Sequence, residues 1–234
     1  MKNFQKHIVI IPDGNRRWAK KRGFKAWIGH KAGSKRSEDI FNKALEMKIP
    51  YITFWGGSFD NLTKRTKFEI QALCKIYEEQ FKKISKDKKI HNSKVNINAI
   101  GKWKEIFPEK TKKEIKNAIE KTKNYKNYYL TFLLAYNGTD EMLDCIKKIK
   151  EDEKIKEITE KEIKQNLFTK NLPPVDLVIR TGCHGDPHNS AGLMMWDAAY
   201  SQLHFTETFF PDFTPEEFEE IIKECSKRER RLGA

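Results

Sequence analysis

The chain is predicted to fold as a single, doubly wound α/β domain that spans residues 1–234. Short apolar runs alternate along the sequence with longer segments of helical periodicity, and no repeat or low-complexity linker interrupts the alternation. The length of 234 residues suits one domain. The 15 Phe, 7 Tyr and 5 Trp residues supply bulky side chains for a core or for an apolar pocket.

The first strand and the first helix are joined by a turn. Residues 7–11, HIVII, form an apolar β-branched run typical of a buried strand, and helix-forming residues resume at 16–21. Residues 12–15, PDGN, favour a turn between the two. Ligands of parallel α/β sheets bind beyond the carboxyl ends of the strands, so this turn is expected at the ligand site.

This turn and the start of its helix carry groups that suit a phosphate. Free backbone N–H groups at a helix start attract anions, and a divalent metal can bridge a phosphate to a carboxylate. A surface turn before a solvated basic helix is an equally good interpretation of the residues alone. The groups are the carboxylate of Asp13, the backbone of Gly14, the amide of Asn15 and the guanidinium groups of Arg16 and Arg17.

The second helix is predicted to begin at Ser34, because Ser34 and Glu38 lie close to capping-box spacing and apolar residues follow at helical intervals. Residues 29–33, GHKAG, are then expected to form a turn. This turn places the imidazole of His30 near the first turn in sequence.

A second buried strand is indicated by residues 51–55, YITFW, and it completes a βαβ unit. The loop predicted at 56–65 follows its carboxyl end. Since parallel strands share their carboxyl edge, this loop is expected to lie on the same edge as Asp13.

The same alternation continues to the middle of the chain. The apolar stripe of the next helix is more typical of core than of a ligand pocket. The predicted elements are helices at 68–84, 108–122 and 141–149, strands at 95–101 and 128–135, and a charged surface helix or connector at 151–165.

A strand predicted at 174–179 ends in Arg180 and is followed by a small polar loop. Arginine in this position suits an anion clamp, because guanidinium binds phosphate oxygens bidentately. His184 and His188 have a metal-like separation, but Pro187 argues against a helical pair, so a solvated loop is the preferred interpretation. The remaining predicted elements are a helix at 191–200, an extended segment at 203–206, a helix at 215–225 and a basic tail at 227–234.

The charge and the composition limit the classes of molecule that this protein is expected to bind. A formal net charge of +13 suits nucleic acid, an anionic membrane surface or a polyanionic substrate. Nucleic acid is disfavoured, since no helix-turn-helix, finger or aromatic-interleaved RNA motif is visible. No apolar run approaches membrane-spanning length and no signal peptide is seen, so a cytoplasmic protein is expected. The scattered cysteines, expected as reduced thiols, are Cys74, Cys145, Cys183 and Cys225.

Five segments taken together resemble the cis-prenyltransferases, the family of undecaprenyl diphosphate synthase. The resemblance covers nearly the whole chain, and the absence of a DDxxD motif separates it from the all-helical trans-prenyltransferases. The segments are PDGNRRWAKKRG with GH after it, SFDNLTKRTKFE, DLVIRTG, WDAAYSQLHFTETFFPDF and the terminal RRLGA.

The resemblance implies a parallel, mostly six-stranded sheet flanked by helices, an apolar tunnel and a homodimer. Members of the family join an allylic prenyl diphosphate to isopentenyl diphosphate with Mg2+ and form a cis double bond. A transient membrane contact through the lipidic product is also compatible with this reading.

The resemblance also implies roles for particular residues. Asp13 would hold the metal and the allylic diphosphate, and Arg180 would clamp the diphosphate of the acceptor. Trp18 would wall the pocket, and His30 would lie behind the diphosphate. The other implied site residues are Gly14, Asn15, Arg16 and Arg17 at the diphosphate, Ser58, Asn61 and Glu69 at the reacting centre and its lid loop, and Ser190 at the substrate.

The sequence departs from the family pattern at several positions. Gln202 replaces the glutamate that usually acts as a second metal ligand, and Leu62 and Thr139 replace a usual tryptophan and arginine. The loop after Arg180 contains no arginine, where the family usually has a second one; His184 or His188 would replace it only if protonated.

These departures leave alternatives open. The altered acceptor loop beside an intact donor loop is compatible with prenyl transfer to a different acceptor or with irregular condensation. A non-catalytic partner subunit is a third alternative, and the presence of Asp13 argues against it.

Overall fold

Six parallel strands form one sheet within residues 6–228, the part of the chain that this computed structural model describes. The sheet order is β3-β4-β2-β1-β5-β6, and every neighbouring pair is parallel. The predicted α/β class with a parallel six-stranded sheet is confirmed. The strands are β1 (His7–Ile11), β2 (Tyr51–Gly57), β3 (Val95–Ile100), β4 (Tyr128–Leu134), β5 (Leu177–Arg180) and β6 (Gln202–Phe205).

Helices flank the sheet, and a 3-10 turn at Phe210–Asp212 follows β6. Within the described residues, no helix is long and apolar enough to cross a bilayer. The helices are α1 (Asn15–Lys21), α2 (Ala26–Glu46), α3 (Phe59–Lys64), α4 (Lys67–Ile84), α5 (Lys88–Asn92), α6 (Trp103–Ile106), α7 (Glu109–Thr122), α8 (Gly138–Glu151), α9 (Glu160–Asn166) and α10 (Pro215–Lys227).

β1 lies in the interior of the sheet and is buried on both faces. Ile8 and Ile10 belong to the same core cluster as Ile40 of α2. Val9 and Ile11 belong to the cluster on the other face. A strand covered on both sides needs apolar residues at consecutive positions, and this is why HIVII shows no alternation.

The prediction that the second helix begins at Ser34 is wrong, because α2 begins at Ala26 and residues 29–33 are helical. The two glycines of this segment serve close packing. A Cβ atom at Gly29 would lie 2.0 Å from the backbone oxygen of Asn15, and one at Gly33 would lie 2.1 Å from Asn15 Oδ1. Glycine therefore lets α2 contact the start of α1.

The predicted helix at 191–200 is also wrong. These residues form successive turns, with positive φ angles of 51° at Ala191, 60° at Gly192 and 44° at Met194. A right-handed helix requires negative φ at each position, so the segment cannot continue as one.

Other differences concern short elements. Part of the loop predicted at 56–65 is the helix α3, and α5 was not predicted. Both are short helices whose first residues are preceded by a capping side chain, Ser58 for α3 and Asp87 for α5. The predicted basic tail lies, from residue 229 onward, outside the described residues.

Candidate active site

The carboxyl ends of three neighbouring strands bring the predicted site residues together. The β1–β5 register pairs Ile11 with Arg180, and the β1–β2 register pairs Ile10 with Phe54. Because the strands are parallel, the Asp13 turn, the end of β2 and Arg180 meet at one sheet edge. The expectation that the Asp13 turn and the loop after β2 share an edge is confirmed, and Arg180 joins them there.

Two glycines allow the strand-end turns to pack together. Gly14 has a φ of 96°, and a Cβ there would lie 2.6 Å from the Phe209 ring. Gly182 has a φ of 67°, and a Cβ there would lie 3.0 Å from the backbone oxygen of Asp13. That oxygen also accepts hydrogen bonds from the Thr181 hydroxyl at 2.9 Å and from the Phe210 N–H at 3.0 Å. The backbone of Asp13 is thus held from several sides.

The carboxylate of Asp13 lies between two arginines. Its Oδ2 is 3.0 Å from Nη2 of Arg180, and its Oδ1 is 3.3 Å from Nη2 of Arg17. Arg180 also donates from Nη1 to the His188 carbonyl at 2.7 Å, while its buried Nε has no partner within residues 6–228. Two cations against one carboxylate leave a net positive charge, which favours a bound anion.

Glu69 forms a second charged cluster beside the first. Its Oε1 lies 3.4 Å from Nε of Arg16, 3.3 Å from Nε2 of His30 and 3.3 Å from Nη1 of Arg65. The carboxylate is buried in the first turn of α4, whose N-cap is Thr66. It therefore ties α1, α2 and the end of α3 to α4.

His30 is neutral at pH 7. Burial, together with the nearby Arg65 guanidinium, lowers the pKa of its imidazole to about 4, against the opposing effect of Glu69. A neutral imidazole that donates from Nε2 to Glu69 keeps Nδ1 as an acceptor. His30 is therefore a hydrogen-bonding group of this site at neutral pH, and its positive charge is absent.

A cavity of about 750 Å³ opens beside these clusters. Its polar end is formed by charged and polar groups, its middle by aromatic and aliphatic side chains, and its far end again by charged side chains. The resemblance implies an apolar tunnel, and the structure has a cavity with apolar walls at this place. Its polar lining residues include Asp13, Gly14, Asn15, Arg16, Arg17, His30, Asn61, Arg65, Arg180 and Ser190, its apolar ones include Phe41, Phe54, Leu73, Phe81, Ile84, Ile90 and Phe132, and its far end has Glu38, Lys83, Asp87 and Lys89.

Besides Gln202, three predicted site residues lie outside this lining. Trp18 does not wall the cavity in this structure, because its indole Nε1 donates to Asp212 Oδ1 at 2.7 Å. Ser58 is buried as the N-cap of α3, and its hydroxyl accepts from the N–H of Asn61 at 2.9 Å. Glu69 acts on the cavity through its arginine and histidine partners, which do line it.

Gln202 does not lie beside Asp13. The β5–β6 register pairs Gln202 with Leu177, at the amino end of β5, whereas Asp13 follows the carboxyl end of β1. Its Nε2 donates to the Cys225 carbonyl at 3.2 Å. Parallel register therefore places Gln202 and Asp13 at opposite ends of the strands, and Gln202 gives no ligand beside Asp13 within the described residues.

The loop after Arg180 places its histidines near carboxylates. His184 Nδ1 lies 3.8 Å from Glu207, and His188 Nδ1 lies 3.1 Å from Asp186; both rings are half-exposed. Within residues 6–228, no group of three or more His, Cys, Asp and Glu side chains is arranged to hold a metal. Residues 184–189 are exposed, so the loop presents its two imidazoles to solvent.

Sequence reasoning gave no role to Arg65, although this residue lines the cavity and contacts Glu69. The available signal was the i,i+4 spacing of Arg65 and Glu69, which favours an ion pair on a helix. The pair spans the junction of α3 and α4, so a loop prediction at 56–65 concealed it.

Comparison with known proteins agrees with this geometry. A family model described as "Putative undecaprenyl diphosphate synthase" matches residues 11–233. A protein from Pyrococcus horikoshii is 40% identical over 233 residues, which cover 97% of this chain and 86% of the relative. A protein from Pyrobaculum aerophilum is 37% identical over 231 residues, 97% of this chain and 95% of the relative. Both are named tritrans,polycis-undecaprenyl-diphosphate synthase (geranylgeranyl-diphosphate specific).

A solved structure shares the fold. Lavandulyl diphosphate synthase from Lavandula x intermedia, in complex with dimethylallyl diphosphate, superimposes with a TM-score of 0.88 at 26% identity and covers 99% of both chains. An arginine-flanked carboxylate at the edge of a parallel sheet, beside a cavity with apolar walls, suits an enzyme whose substrates have an anionic head and an apolar chain. The chain belongs to the undecaprenyl diphosphate synthase family of prenyltransferases, and the predicted family is confirmed.

Proposed function

We propose that this protein condenses an allylic prenyl diphosphate with isopentenyl diphosphate, in a Mg2+-dependent reaction, to give a Z-polyprenyl diphosphate. The arrangement of Asp13 between Arg17 and Arg180, at the polar end of the apolar cavity, supports the proposal best. The names of the archaeal relatives support geranylgeranyl diphosphate as the starter.

The donor set at Asp13 fits magnesium. Mg2+ is commonly held by one or two carboxylates, with the remaining positions filled by substrate phosphates and water. Asp13 provides one partly exposed carboxylate at the cavity, and Arg17 beside it can take a phosphate oxygen. When bound, the metal would supply positive charge that stabilises the departing diphosphate.

The residues around Asp13 would hold the allylic diphosphate. Arg16 and Arg17 are exposed guanidinium groups on the first turn of α1, and both line the cavity. As the diphosphate leaves, negative charge develops on its oxygens, and cations fixed in advance lower the barrier. The apolar walls beyond, including Phe54 and Phe132, would keep water from the allylic cation.

Arg180 would bind the diphosphate of isopentenyl diphosphate. Its side chain is buried, lines the cavity and keeps its Nε free of any partner within the described residues. The hydroxyl-bearing Ser190 lines the same cavity. Asn61, held by the cap of α3 at Ser58, would complete the reacting centre from the opposite side.

A second candidate is prenyl transfer to a different acceptor, or irregular condensation. Residues 181–190 contain no arginine, and His184 and His188 lie near carboxylates and away from the cavity lining. The solved neighbour is named for lavandulyl diphosphate, which adds weight to this candidate. A non-catalytic subunit is less well supported, because Asp13 and its arginines are present.

The assembly and the place of action are part of the same proposal. A homodimer is supported by exposed apolar side chains, among them Tyr200 and Leu203 near the edge strand β6. A cytoplasmic location is supported by four buried free cysteines, which suit a reducing compartment. A transient contact with the membrane through the apolar product belongs to the same proposal.

One incubation tests the leading candidate against the second. Purified protein is given Mg2+ and an allylic starter, either geranylgeranyl or a shorter prenyl diphosphate, with and without isopentenyl diphosphate, and products are read by mass spectrometry. We expect chains that grow by five-carbon units only when isopentenyl diphosphate is present. Prenylated products that form without it favour the second candidate, and the absence of any product from all starters contradicts both.

A further inference from the structure

Two segments that border the polar end of the cavity are strongly cationic. Residues 14–37 contain nine lysine and arginine residues and no aspartate or glutamate. Residues 61–68 contain three such cations and again no carboxylate. Lys20 and Phe24 of the first segment are exposed and also line the cavity, so the cavity opens to the surface here, at its mouth. Arg65 lines the cavity from the second segment.

Two aromatic side chains are exposed in these segments. Phe24, between α1 and α2, is 49% exposed, and Phe68, in the first turn of α4, is 64% exposed. The Phe24 ring packs 6.3 Å from the ring of Trp18. Phe68 adjoins Glu69, whose carboxylate contacts Arg16 of α1 at 3.4 Å. The two exposed rings therefore project from elements that are held together at the same end of the cavity.

Several of the surrounding lysines have no compensating carboxylate. Lys20, Lys21, Lys25 and Lys67 are exposed, and none of them forms an ion pair with another residue in the range 6–228. Lys64 does pair with Asp60, at 2.7 Å, in an exposed position where such pairs are weak. The surface consequently keeps an excess of positive charge around its exposed rings.

We propose that this surface docks on a bilayer that contains anionic lipid. The cationic aromatic rim consists of Lys20, Lys21, Phe24, Lys25, Lys64, Lys67 and Phe68. Lysines near an anionic bilayer are attracted to its headgroups, and aromatic side chains insert at the level of the headgroups.

An anionic bilayer is the partner that fits both the charge of this surface and its exposed rings at the mouth of the cavity. Steering of soluble diphosphates would use the lysines, but it gives no reason to expose two phenylalanine rings beside them. The docking surface does not depend on the proposed function, but the purpose of docking does. If the cavity holds a long isoprenoid product, that product would pass from the mouth of the cavity into the bilayer without crossing water.

Vesicle sedimentation of the full-length protein tests the proposal without substrates or Mg2+. The vesicles are phosphatidylcholine alone or mixed with phosphatidylglycerol, at low and at high salt. We expect binding to the mixed vesicles, weakening as salt screens the lysines. The double variant Phe24→Ser/Phe68→Ser should bind at least about tenfold more weakly, because both rings leave the interface.

A control variant replaces two apolar residues that are about as exposed as Phe24 and Phe68 but lie on a different helix. Leu143 and Ile146 of α8 are 58% and 57% exposed, and Leu143→Ser/Ile146→Ser should bind vesicles as the unchanged protein does. Circular dichroism melting establishes that both double variants are folded. A third variant, Lys21→Glu/Lys67→Glu, should lose the preference for anionic vesicles.

Three results would overturn the proposal. They are failure of the unchanged protein to sediment with mixed vesicles, equal sedimentation of the Phe24→Ser/Phe68→Ser variant, and loss of binding in the Leu143→Ser/Ile146→Ser control instead. Because no diphosphate is present in the assay, an inactive enzyme that still binds vesicles would contradict the proposed function and leave the docking surface standing.

Discussion

Nη2 of Arg180, the last residue of β5, lies 3.0 Å from Oδ2 of Asp13, two residues beyond β1. The contact joins the proposed acceptor clamp to the proposed donor site across neighbouring strands. It also implies that a change at Arg180 affects both, with the larger effect expected on the substrate that Arg180 binds directly.

Replacing Arg180 with glutamine should raise KM for isopentenyl diphosphate by about tenfold to a hundredfold, since a hydrogen bond from a charged donor contributes about 1.5–3 kcal/mol. KM for the allylic diphosphate should change less. Steady-state kinetics with each substrate varied in turn provides the measurement. Arg228→Gln, at the end of α10, is the control and should leave both values unchanged. Equal increases in the two KM values would contradict the assignment of Arg180 to the acceptor.

Gly29→Ala should destabilise the protein by about 1–3 kcal/mol, the usual cost of overpacking, because the new Cβ would lie 2.0 Å from the backbone oxygen of Asn15. Moving α1 away from α2 should also raise KM for the allylic diphosphate. Lys31→Ala changes an exposed residue of the same helix and should leave both quantities near their original values. Urea unfolding with parallel kinetics measures them, and an unchanged stability for Gly29→Ala would show that the two helices do not pack this closely.

Loss of the helix cap at Ser58 should lower catalysis more than loss of the helix cap at Thr214. Ser58→Ala removes the cap of α3, costs about 1 kcal/mol locally and frees the segment that carries Asn61, so kcat should fall. Thr214→Ala removes the corresponding hydrogen bond at Glu217 N–H on α10, and it should lower stability with little change in kcat. If both variants lower kcat equally at equal stability, Ser58 has no special part in the site.

Burial of neutral His30 predicts a pH dependence of stability. The folded pKa of about 4 lies below the ordinary 6.5, so the unfolded chain binds more protons between these values. The contribution of His30 to the free energy of unfolding is therefore fully present above pH 6.5. It is lost as the pH falls toward 4, by up to about 1.4 kcal/mol per pH unit.

Urea unfolding at pH 5 and at pH 7 tests this sign, with the His30→Gln variant beside the unchanged protein. The variant should lose less stability between the two pH values. His188→Gln, a change at a half-exposed ring, should behave like the unchanged protein. A His30→Gln variant with the same pH dependence as the unchanged protein would show that His30 titrates normally in the fold.

The common edge of Asp13 and Arg180 could be predicted from the sequence. Each follows a short apolar run, parallel strands share a carboxyl edge, and these two facts suffice to bring the residues together. The family resemblance supplied the apolar cavity and the site residues, most of which line it.

Features that depend on three-dimensional packing were not predictable in the same way. Gly29 and Gly33 look like turn residues in sequence, and only the contact with Asn15 shows why glycine is needed inside a helix. Gln202 matches a ligand position by motif, but strand register decides which sheet edge it occupies. Ala191 and Met194 also have positive φ angles. Alanine and methionine rarely adopt this conformation, so the sequence gives no sign of it.

The central claim is that the Asp13 carboxylate, between Arg17 and Arg180, holds the allylic diphosphate with the metal. The most direct test measures kcat and its Mg2+ dependence for Asp13→Asn, with Asp212→Asn as control; this control removes the charge that pairs with Arg22 and keeps an amide oxygen for the Trp18 indole. We predict that Asp13→Asn folds normally and loses at least about a hundredfold in kcat, a loss typical of removing one electrostatic group from a transition state. Asp212→Asn should stay near the original rate. Prenyl transfer by folded Asp13→Asn at the unchanged rate and with the unchanged Mg2+ dependence would contradict the account.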